Sequence, residues 1–416
     1  MIQNFQIKNS VIDQIKEISL KEKKFRLKNL DIFNNEGFPN NKNEEWKFTN
    51  IDKIIKINFK KLSLKKDINE LKKFDLIKNF EHNYIFLVNG RLSSFNLDFE
   101  EKNEVNISTF KNKNFDFKKN NTLINLNNAL YDEGFSIKVN DNYKMKKSII
   151  IYNIFTKELK ENMINIKNQV TLGKNSELHL IDYNINNSKE KFFCNTYESV
   201  FLDKYAVYKT ICINENRSEG FFHKFSSNTL LSNANYTAYI FPAGLKFNKV
   251  DLEFNLEGEN IDCNLQSASF LKKDEHQEIR TKINHLFPNC KSYQKVKNVL
   301  SLNSKGVFQG KIFVKDKAQK TNAYQLGKAM LLNDESEFNS KPELEIYADD
   351  VKCTHGSTSG SIDENAIYYL MTRGLNRKES TTLLIDAFLN EIISTIKSKS
   401  IKEFIKLKFE KQIYGH

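Results

Sequence analysis

The sequence has few of the residues that crosslink a chain or bend it sharply. Its 416 residues include 4 prolines, 14 glycines and 5 cysteines. The cysteines are Cys194, Cys212, Cys263, Cys290 and Cys353, and no two of them form a CxxC pair. An odd, dispersed set argues against a disulfide framework and against a preformed zinc site. Each is therefore expected to be a small buried hydrophobe, and only Cys353 has neighbours that suggest chemistry.

Long apolar runs and the common catalytic signatures are also missing. No run reaches the ~18 apolar residues of a membrane span, and the N-terminus lacks the basic-then-apolar layout of a signal peptide. We therefore expect a protein with no membrane partner that is cytoplasmic, or that resides in a compartment whose targeting peptide is absent from this chain. No GxSxG, HExxH, GxGxxG or P-loop pattern occurs, so a self-contained hydrolase, kinase or dehydrogenase is not expected.

The net charge of +12 invites a nucleic-acid interpretation, which we do not favour. Lysine is spread through every segment and is accompanied by abundant asparagine, isoleucine and phenylalanine. This is typical of a global compositional bias rather than of a basic face on one element. No nucleic-acid partner is expected.

The N-terminal part of the chain, up to about residue 80, has a helical apolar pattern, although residues 51–80 support no firm assignment. The only tryptophan, Trp46, is interpreted as an aromatic anchor that packs this helical cap onto the next domain. The run Tyr84–Val88 followed by Asn89 and Gly90 predicts a strand and a tight turn. From about 135 to 350, short strands of four to eight residues recur about every ten residues, with Asn, Gly, Asp and Lys between them.

This strand-rich region contains no amphipathic helices between its predicted strands, so a βαβ sheet is not expected. A single sandwich would be oversized at roughly 200 residues, and no blade-length repeat indicates a propeller. A β-solenoid fits better, with coils of three short strands that stack on their nearest neighbours. Its open ends would template aggregation unless capped, and the flanking helical regions supply caps.

The C-terminal region has clear helix signals. Ser361 and Glu364 are spaced as a capping box, and Asn376 is a plausible cap for the following helix. A third amphipathic segment follows Ser400. The apolar stripe of these helices is large enough to dock a partner.

Cys353 and His355 lie two residues apart at the junction between the β-rich region and these helices. In an extended strand both point to the same face, where a thiolate and an imidazole can bind a soft or borderline metal or form a nucleophile–base pair. Asp349 and Asp350, just upstream, are outer acceptors or turn residues. The structural alternative places Cys353 in the core and His355 at a turn. Two ligands do not close a metal site, so others would come from elsewhere or from another chain.

Several motifs together resemble the SufB/SufD family of iron–sulfur cluster assembly proteins. The most specific is the string Ala-Asp-Asp-Val-Lys-Cys-x-His-Gly at 348–356. The other resembling segments are Lys311–Val314, Ala318–Thr321 with Gln325, Leu331–Leu332, Lys341–Ile346, Tyr369–Leu375 and Glu45–Thr49. In SufB the residues after this histidine are glutamate and alanine, where this chain has Gly356 and Ser357, which favours the SufD branch over the paralogue SufB.

The resemblance implies a mainly β fold, a right-handed parallel β-helix core with N-terminal and C-terminal α-helical domains. The corresponding domains are 1–80, 81–350 and 351–416. It also implies a non-catalytic scaffold subunit of the SufBCD complex, which pairs with SufB through its β-helix and with the SufC ATPase through its C-terminal helices. In isolation it could form a homodimer, and it binds no nucleotide itself.

The resemblance further implies that iron or a nascent Fe–S cluster is held transiently at the SufB interface. His355 matches the histidine implicated there, and Cys353 matches a neighbouring cysteine of the family. The competing hypothesis is a purely structural partner in which both residues are incidental. A carbohydrate-active enzyme is a weaker alternative, because only Glu343 and Glu345 approach the carboxylate cluster it would need.

Overall fold

A computed structural model describes residues 6–15, 18–59, 62–64, 75–110, 121–186, 189–215 and 217–414. The helices are α1 Ser10–Asp13, α2 Leu20–Glu36, α3 Ile51–Asn58, α4 Thr122–Leu130, α5 Glu364–Thr372, α6 Arg377–Ile393 and α7 Lys399–Tyr414, with 3-10 turns at Glu44–Trp46 and Lys157–Leu159. The strands are β1 Ser63–Leu64, β2 Asn83–Val88, β3 Arg91–Asn96, β4 Val105–Thr109, β5 Phe135–Val139, β6 Ile149–Phe155, β7 Asn162–Leu172, β8 Glu177–Asn186, β9 Phe192–Leu202, β10 Val207–Asn214, β11 Ser218–Leu230, β12 Asn235–Phe241, β13 Leu245–Leu256, β14 Asp262–Leu271, β15 His276–His285, β16 Lys291–Leu300, β17 Lys305–Val314, β18 Thr321–Leu331, β19 Glu337–Ile346 and β20 Val351–Ser361.

From β5 onward, consecutive strands alternate between two sheets. Sheet A runs in the order β19-β17-β15-β13-β11-β9-β7-β5-β4, with β1 beside β7, and sheet B runs β20-β18-β16-β14-β12-β10-β8-β6-β2-β3. Neighbouring strands are parallel except for the pairs β2–β3 and β4–β5 at one end. The chain therefore winds into a β-solenoid flanked by helices, as expected from the sequence.

Each coil contains two strands rather than the three that the sequence predicted. Most strands are also longer than the four to eight residues expected. The strand β14 shows why the sequence underestimated strand length. Gln266, Ser267 and Ser269 are polar residues of the kind that usually indicates a turn, but they lie buried inside this strand. The Ser267 hydroxyl donates to the carbonyl of Ile240, 2.8 Å away, so a polar residue is satisfied inside the sheet.

Asparagines with positive φ form the turns along one side of the solenoid. Asn142, Asn175, Asn233 and Asn289 have φ between 57° and 64°. Each backbone N–H donates to a carbonyl in the next coil, as from Asn142 to Lys174 at 2.7 Å and from Asn175 to Lys204 at 2.9 Å. Asparagine tolerates this conformation better than other non-glycine residues, so the turns need few of the scarce glycines. The turn at Asn89 and Gly90 is confirmed, with both residues at positive φ.

Three apolar layers hold the fold together. The first fills the space between the sheets, the second lies between the outer face of sheet B and helices α6 and α7, and the third lies between the N-terminal helices and sheet A. Trp46 is buried in the third layer, which confirms its interpretation as an anchor. No helix in the described ranges is both long enough and apolar enough to cross a membrane.

The segment Glu44–Thr49, here called the N-terminal strap, crosses the outer face of sheet A over a network of buried charges. Lys249 of β13 is fully buried, forms ion pairs with Asp251 at 3.2 Å and with Glu278, and donates to the carbonyl of Glu45 at 3.0 Å. The Thr49 hydroxyl donates to Glu278, 2.5 Å away. The strap thereby holds the N-terminal region on sheet A through desolvated charges as well as apolar contacts.

Two more contacts anchor the strap at its beginning. Glu45 pairs with Arg280 of β15 at 2.8 Å, and Glu44 pairs with Lys341 of β19. The strap therefore reaches from the middle of sheet A to its last strand.

The C-terminal boundaries differ in part from the prediction. Ser361 is the last residue of β20, so the predicted capping box at Ser361 and Glu364 is wrong, and the cap of α5 is Asp363, which accepts from the N–H groups of Asn365 and Ala366. Because β20 pairs with β18 along its whole length, residues 351–361 belong to the sheet, not to the helical region that was predicted to begin at 351. The predicted cap at Asn376 is confirmed as a full capping box with Glu379.

Removing this cap should measurably weaken the start of α6. We expect Asn376→Ala to cost about 0.5–2 kcal/mol, because the N–H of Glu379 loses its acceptor at 2.9 Å. Amide exchange at Lys378–Ser380 should speed up accordingly. Asn390→Ala, in the interior of the same helix, is the matched control and should leave that exchange unchanged. Equal exchange in the two variants would show that the capping box does not stabilise the helix.

Candidate functional site

The last strands of the two sheets form an open end of the solenoid. β20 pairs with β18, β19 pairs with β17, and the opposite side of each has no strand partner within the described residues. Most side chains of β20 are exposed, and those of β19 are mostly half-buried. In β17 and β18, the preceding coil, many side chains are fully buried. Unpaired backbone N–H and C=O groups on an exposed edge can accept a strand from another chain.

Cys353 lies on β20 with its side chain toward the interior. It is half-buried and packs with Leu344 and Val351 against a small core cluster. Burial raises the pKa of its thiol, although a hydrogen bond from the backbone of Ala323 opposes that change. In the free chain this cysteine is thus a protonated thiol at the rim of the core, in line with the structural interpretation of the residue.

His355 lies two residues further along β20, on the same face. It is exposed and pairs in register with Gln325 of β18. Its ring makes no hydrogen bond to any residue that the structure describes. The alternative in which His355 caps a turn is wrong, because the residue lies in the middle of a strand. The imidazole is free to bind a ligand.

Asp349 and Asp350 form the turn that leads into β20. Both are exposed, the N–H of Asp350 donates to the side chain of Gln319 at 2.9 Å, and its carbonyl accepts from Lys320 at 2.6 Å. These contacts continue the turn-to-turn hydrogen bonds of the solenoid. Of the two roles considered, turn formation is the one their contacts support.

A complete metal site is not assembled from this region alone. Across the described ranges, no three His, Cys, Asp or Glu side chains are placed to hold a metal ion. An imidazole and a thiol suit iron or an iron–sulfur cluster as donors, but two of them leave coordination positions open. Any cargo bound here would need ligands from a second chain or from solution.

Two other histidines have structural contacts. His285 is buried and lies 2.9 Å from the hydroxyl of Ser292, and burial lowers its pKa to about 4. His179 lies on the outer face of sheet B, where its Nε2 is 2.7 Å from Glu177 and 2.9 Å from the Nζ of Lys209. His285 is therefore part of the buried structure of the solenoid.

Sequence reasoning missed the buried charges beneath the strap. Lys249, Asp251 and Glu278 are each fully buried, and His223 lies 3.4 Å from Asp251. The signal available was a lysine and an aspartate two residues apart in β13, where strand alternation places both side chains on one face. No feature of the sequence indicated that Thr49 and the strap would cover them.

The outer surface of helices α5 and α6 carries exposed apolar side chains. Tyr368, Tyr369 and Met371 of α5 are exposed, as is Leu383 of α6. The opposite side of α6 packs on sheet B, where Glu391 pairs with Lys295 and Lys297. An apolar patch on a helix pair that is itself fixed to the sheet is a suitable docking surface for a partner.

Comparison with known families identifies the family of this chain. A model of the SufBD core domain of the SUF system for FeS cluster assembly matches residues 154–388, and a model of the SufBD N-terminal region matches residues 1–151. The chain belongs to the SufBD family. The family expected from the sequence motifs is confirmed.

Two relatives match almost the whole chain. The iron–sulfur cluster assembly protein SufD of Escherichia coli (strain K12) is 26% identical over 386 residues, which cover 91% of this chain and 90% of SufD. An iron–sulfur cluster assembly SufBD family protein of Synechocystis sp. (strain PCC 6803) is 25% identical over 403 residues, with 89% and 87% coverage. The chain is therefore an iron–sulfur cluster assembly SufBD family member similar to SufD throughout its length.

Proposed function

We propose that this chain is the SufD-type scaffold subunit of a cytoplasmic SufBCD complex. In this proposal the open end formed by β19 and β20 pairs with SufB, and the exposed face of α5 and α6 docks the SufC ATPase. The chain performs no catalysis itself and binds no nucleotide. Full-length similarity to SufD, together with an exposed strand edge and exposed apolar side chains on α5 and α6, supports this assignment.

His355 is the residue proposed to contact the iron or nascent Fe–S cargo. The observation that carries this proposal is its placement, exposed and without a hydrogen-bond partner in the described structure, on the edge strand that would face SufB. Cargo held between the two subunits would receive the His355 imidazole from this side and its other ligands from SufB. Cys353 is the second candidate ligand, but its burial and raised pKa make the thiolate less available.

His355→Ala tests the metal role. We expect the variant to fold and to bind SufC normally, while the iron content of the anaerobically purified complex falls by about tenfold or more, since even the loss of an outer-shell partner costs metal sites 10–100-fold. Iron and sulfide analysis after reconstitution measures the effect. His179→Ala, which removes an accessible histidine from the outer face of the same sheet, is the control.

Two outcomes distinguish the alternatives. Full cluster assembly by His355→Ala would leave this chain as a structural partner of SufB with no direct metal role. An equal loss in His179→Ala would show that the effect does not come from the edge strand.

A further inference from the structure

The two edge strands at the open end of the solenoid differ in charge. Strand β19 carries three glutamates and one lysine, namely Glu337, Glu343, Glu345 and Lys341. Their odd-numbered positions share one face of the strand, and Leu344 on the other face packs in the core, so all four side chains lie on the outer face of sheet A. Strand β20 carries only Lys352, beside the imidazole of His355. The open edge of sheet A is therefore acidic, whereas that of sheet B is almost uncharged.

The strand that precedes β19 in sheet A is basic. Lys305 of β17 pairs with Glu337 at 3.4 Å, and Lys311 of β17 pairs with Glu345 at 2.6 Å. Lys305 is also the register partner of Glu337, and Lys311 is that of Glu343. Opposite charges on neighbouring strands stabilise their pairing. A basic strand is thus followed by an acidic one toward the open end, and no described residue supplies the strand that would come next.

The N-terminal strap adds a fourth carboxylate to this edge. Lys341 lies between Glu343, at 2.9 Å, and Glu44 of the strap. Among the described residues, four carboxylates at this edge therefore pair with three lysines. The side chains of Glu44 and Glu337 are 66% and 57% exposed. A strand added beside β19 would displace water from such carboxylates, and carboxylates that lose water need cations in its place.

The backbone of β19 restricts which strands can pair with it. The N–H groups of Glu337 and Tyr347 donate to the carbonyls of Ser304 and Val314 on the β17 side. Alternation therefore directs position 342 away from β17, and Pro342 has no N–H to donate there. Proline and charged side chains are both means of preventing indiscriminate pairing at an edge strand. Side-chain charge should consequently decide which strand β19 accepts.

We propose that the strand which adds to β19 is a basic strand of the partner subunit. Its lysine or arginine side chains lie on the face that continues the outer face of sheet A, opposite Glu337, Glu343 and Glu345. This inference rests on the proposed function, in which the open end pairs with SufB, and it specifies the chemistry of the SufB strand. A second copy of this chain would present the same net negative charge and fits this edge poorly. Complementary charge also fixes the register of the added strand.

Neutralising the three glutamates of β19 is the first test. The triple variant Glu337→Gln, Glu343→Gln, Glu345→Gln keeps the shape of the edge and removes its charge. We expect its rate of association with purified SufB at low salt to fall by about tenfold or more, because electrostatic steering raises such rates by about 10–10³-fold. The difference from the wild type should shrink at high salt, which screens exposed charges. Stopped-flow mixing at the two salt concentrations measures both effects.

The matched control removes the same charge from other parts of the solenoid. Glu81, Glu101 and Glu190 are exposed and each pairs with a lysine, as the glutamates of β19 do. The variant Glu81→Gln, Glu101→Gln, Glu190→Gln should associate with SufB at the wild-type rate. An equal decrease in this control would overturn the inference, because the effect would then come from net charge rather than from β19.

Reversing the charge separates partner selection from simple protection of the edge. Lysine protects an edge strand as well as glutamate does, so Glu337→Lys, Glu343→Lys, Glu345→Lys should bind SufB normally if the glutamates only prevent indiscriminate pairing. If they select a basic strand, we expect affinity for SufB to fall by about 100-fold or more, because like charges then face each other. Thermal melting shows whether each variant is folded, and the glutamine variant tests the proposal even if the lysine variant is not.

The possible results separate this inference from the proposed function. Wild-type association with SufB by the glutamine variant would overturn the basic strand and leave the SufB pairing intact. Self-association of that variant, with unchanged binding to SufB, would show that the glutamates only keep copies of this chain apart, which also overturns the inference. No association between the wild type and SufB would overturn the proposed pairing itself, and the inference with it.

Discussion

Lys249→Met is expected to lower the free energy of unfolding by about 3–5 kcal/mol at pH 7. Its ammonium group lies between Asp251 and Glu278 with no exposure to solvent, so its removal leaves two carboxylates buried without their cation. The same substitution removes the donor to the carbonyl of Glu45 in the strap. Chemical denaturation followed by circular dichroism measures the loss.

The pH dependence of this effect has a definite sign. Burial alone would raise the pKa of Asp251, but Lys249 and the hydrogen bond from His223 lower it to about 2. In the wild type Asp251 therefore contributes stability above pH ~4, and this contribution disappears as the pH falls through 2. In Lys249→Met the burial effect dominates, so the variant should recover part of its loss as acid neutralises the carboxyl. The difference between the two proteins should narrow below pH 5.

A neutral replacement of the whole group separates charge from packing. The triple variant Lys249→Met, Asp251→Asn, Glu278→Gln contains no buried charge at this position and should recover most of the lost stability, because replacing a complete buried ion group is far less costly than breaking it. If the triple variant were as unstable as Lys249→Met, the loss would come from packing rather than from uncompensated charge.

The double variant Ser357→Lys, Ser359→Lys should strongly weaken assembly with SufB. Both serines are exposed on β20, on the face that continues the interior columns. Inward-pointing charges on an edge strand are one of the means by which proteins prevent edge-to-edge pairing. Desolvating two unpaired ammonium groups costs several kcal/mol, and each 1.4 kcal/mol is a tenfold change in affinity, so binding should weaken by about 100-fold or more.

Ser93→Lys, Ser94→Lys is the control for this experiment. These exposed serines lie on β3, the edge strand at the opposite end of sheet B, and the variant carries the same added charge. Analytical ultracentrifugation with purified SufB compares the two proteins. Normal association of the β20 variant, or an equal defect in the β3 variant, would show that β20 is not the interface. Both variants should melt at the temperature of the wild type because neither alters the core.

The overall architecture could be predicted from the sequence. The recurring short strands, the lack of helices between them and the specific motif at 348–356 all indicated one fold. The number of strands per coil was not accessible. Buried polar residues such as Ser267 and Ser269 have the composition of a turn, and only the neighbouring strands show that they are hydrogen-bonded in the sheet. A prediction from local sequence pattern therefore divides one long strand into several shorter predicted strands.

The candidate site was only partly accessible. The spacing of Cys353 and His355 correctly placed both side chains on one face of a strand, and the exit of the chain into helices was expected nearby. The difference in exposure between Cys353 and His355 could not be predicted, because it depends on which of them packs against Leu344 and the core cluster of the neighbouring coil. Gln325 lies thirty positions before His355 in the sequence, and only the strand register brings the two together.

The N-terminal strap also determines when the chain can finish folding. Glu44 and its partner Lys341 are 297 residues apart, and its neighbours Glu45 and Thr49 contact strands β13 and β15. At translation rates of about 5–20 residues per second, the strap is made about 15–60 s before its last contact leaves the ribosome. Trp46 has no surface to cover until β11 and β13 are made, because its ring packs against His223 and Lys249. The nascent N-terminal region is therefore a natural substrate for chaperones, and the last coil of the solenoid completes the docking of the first helices.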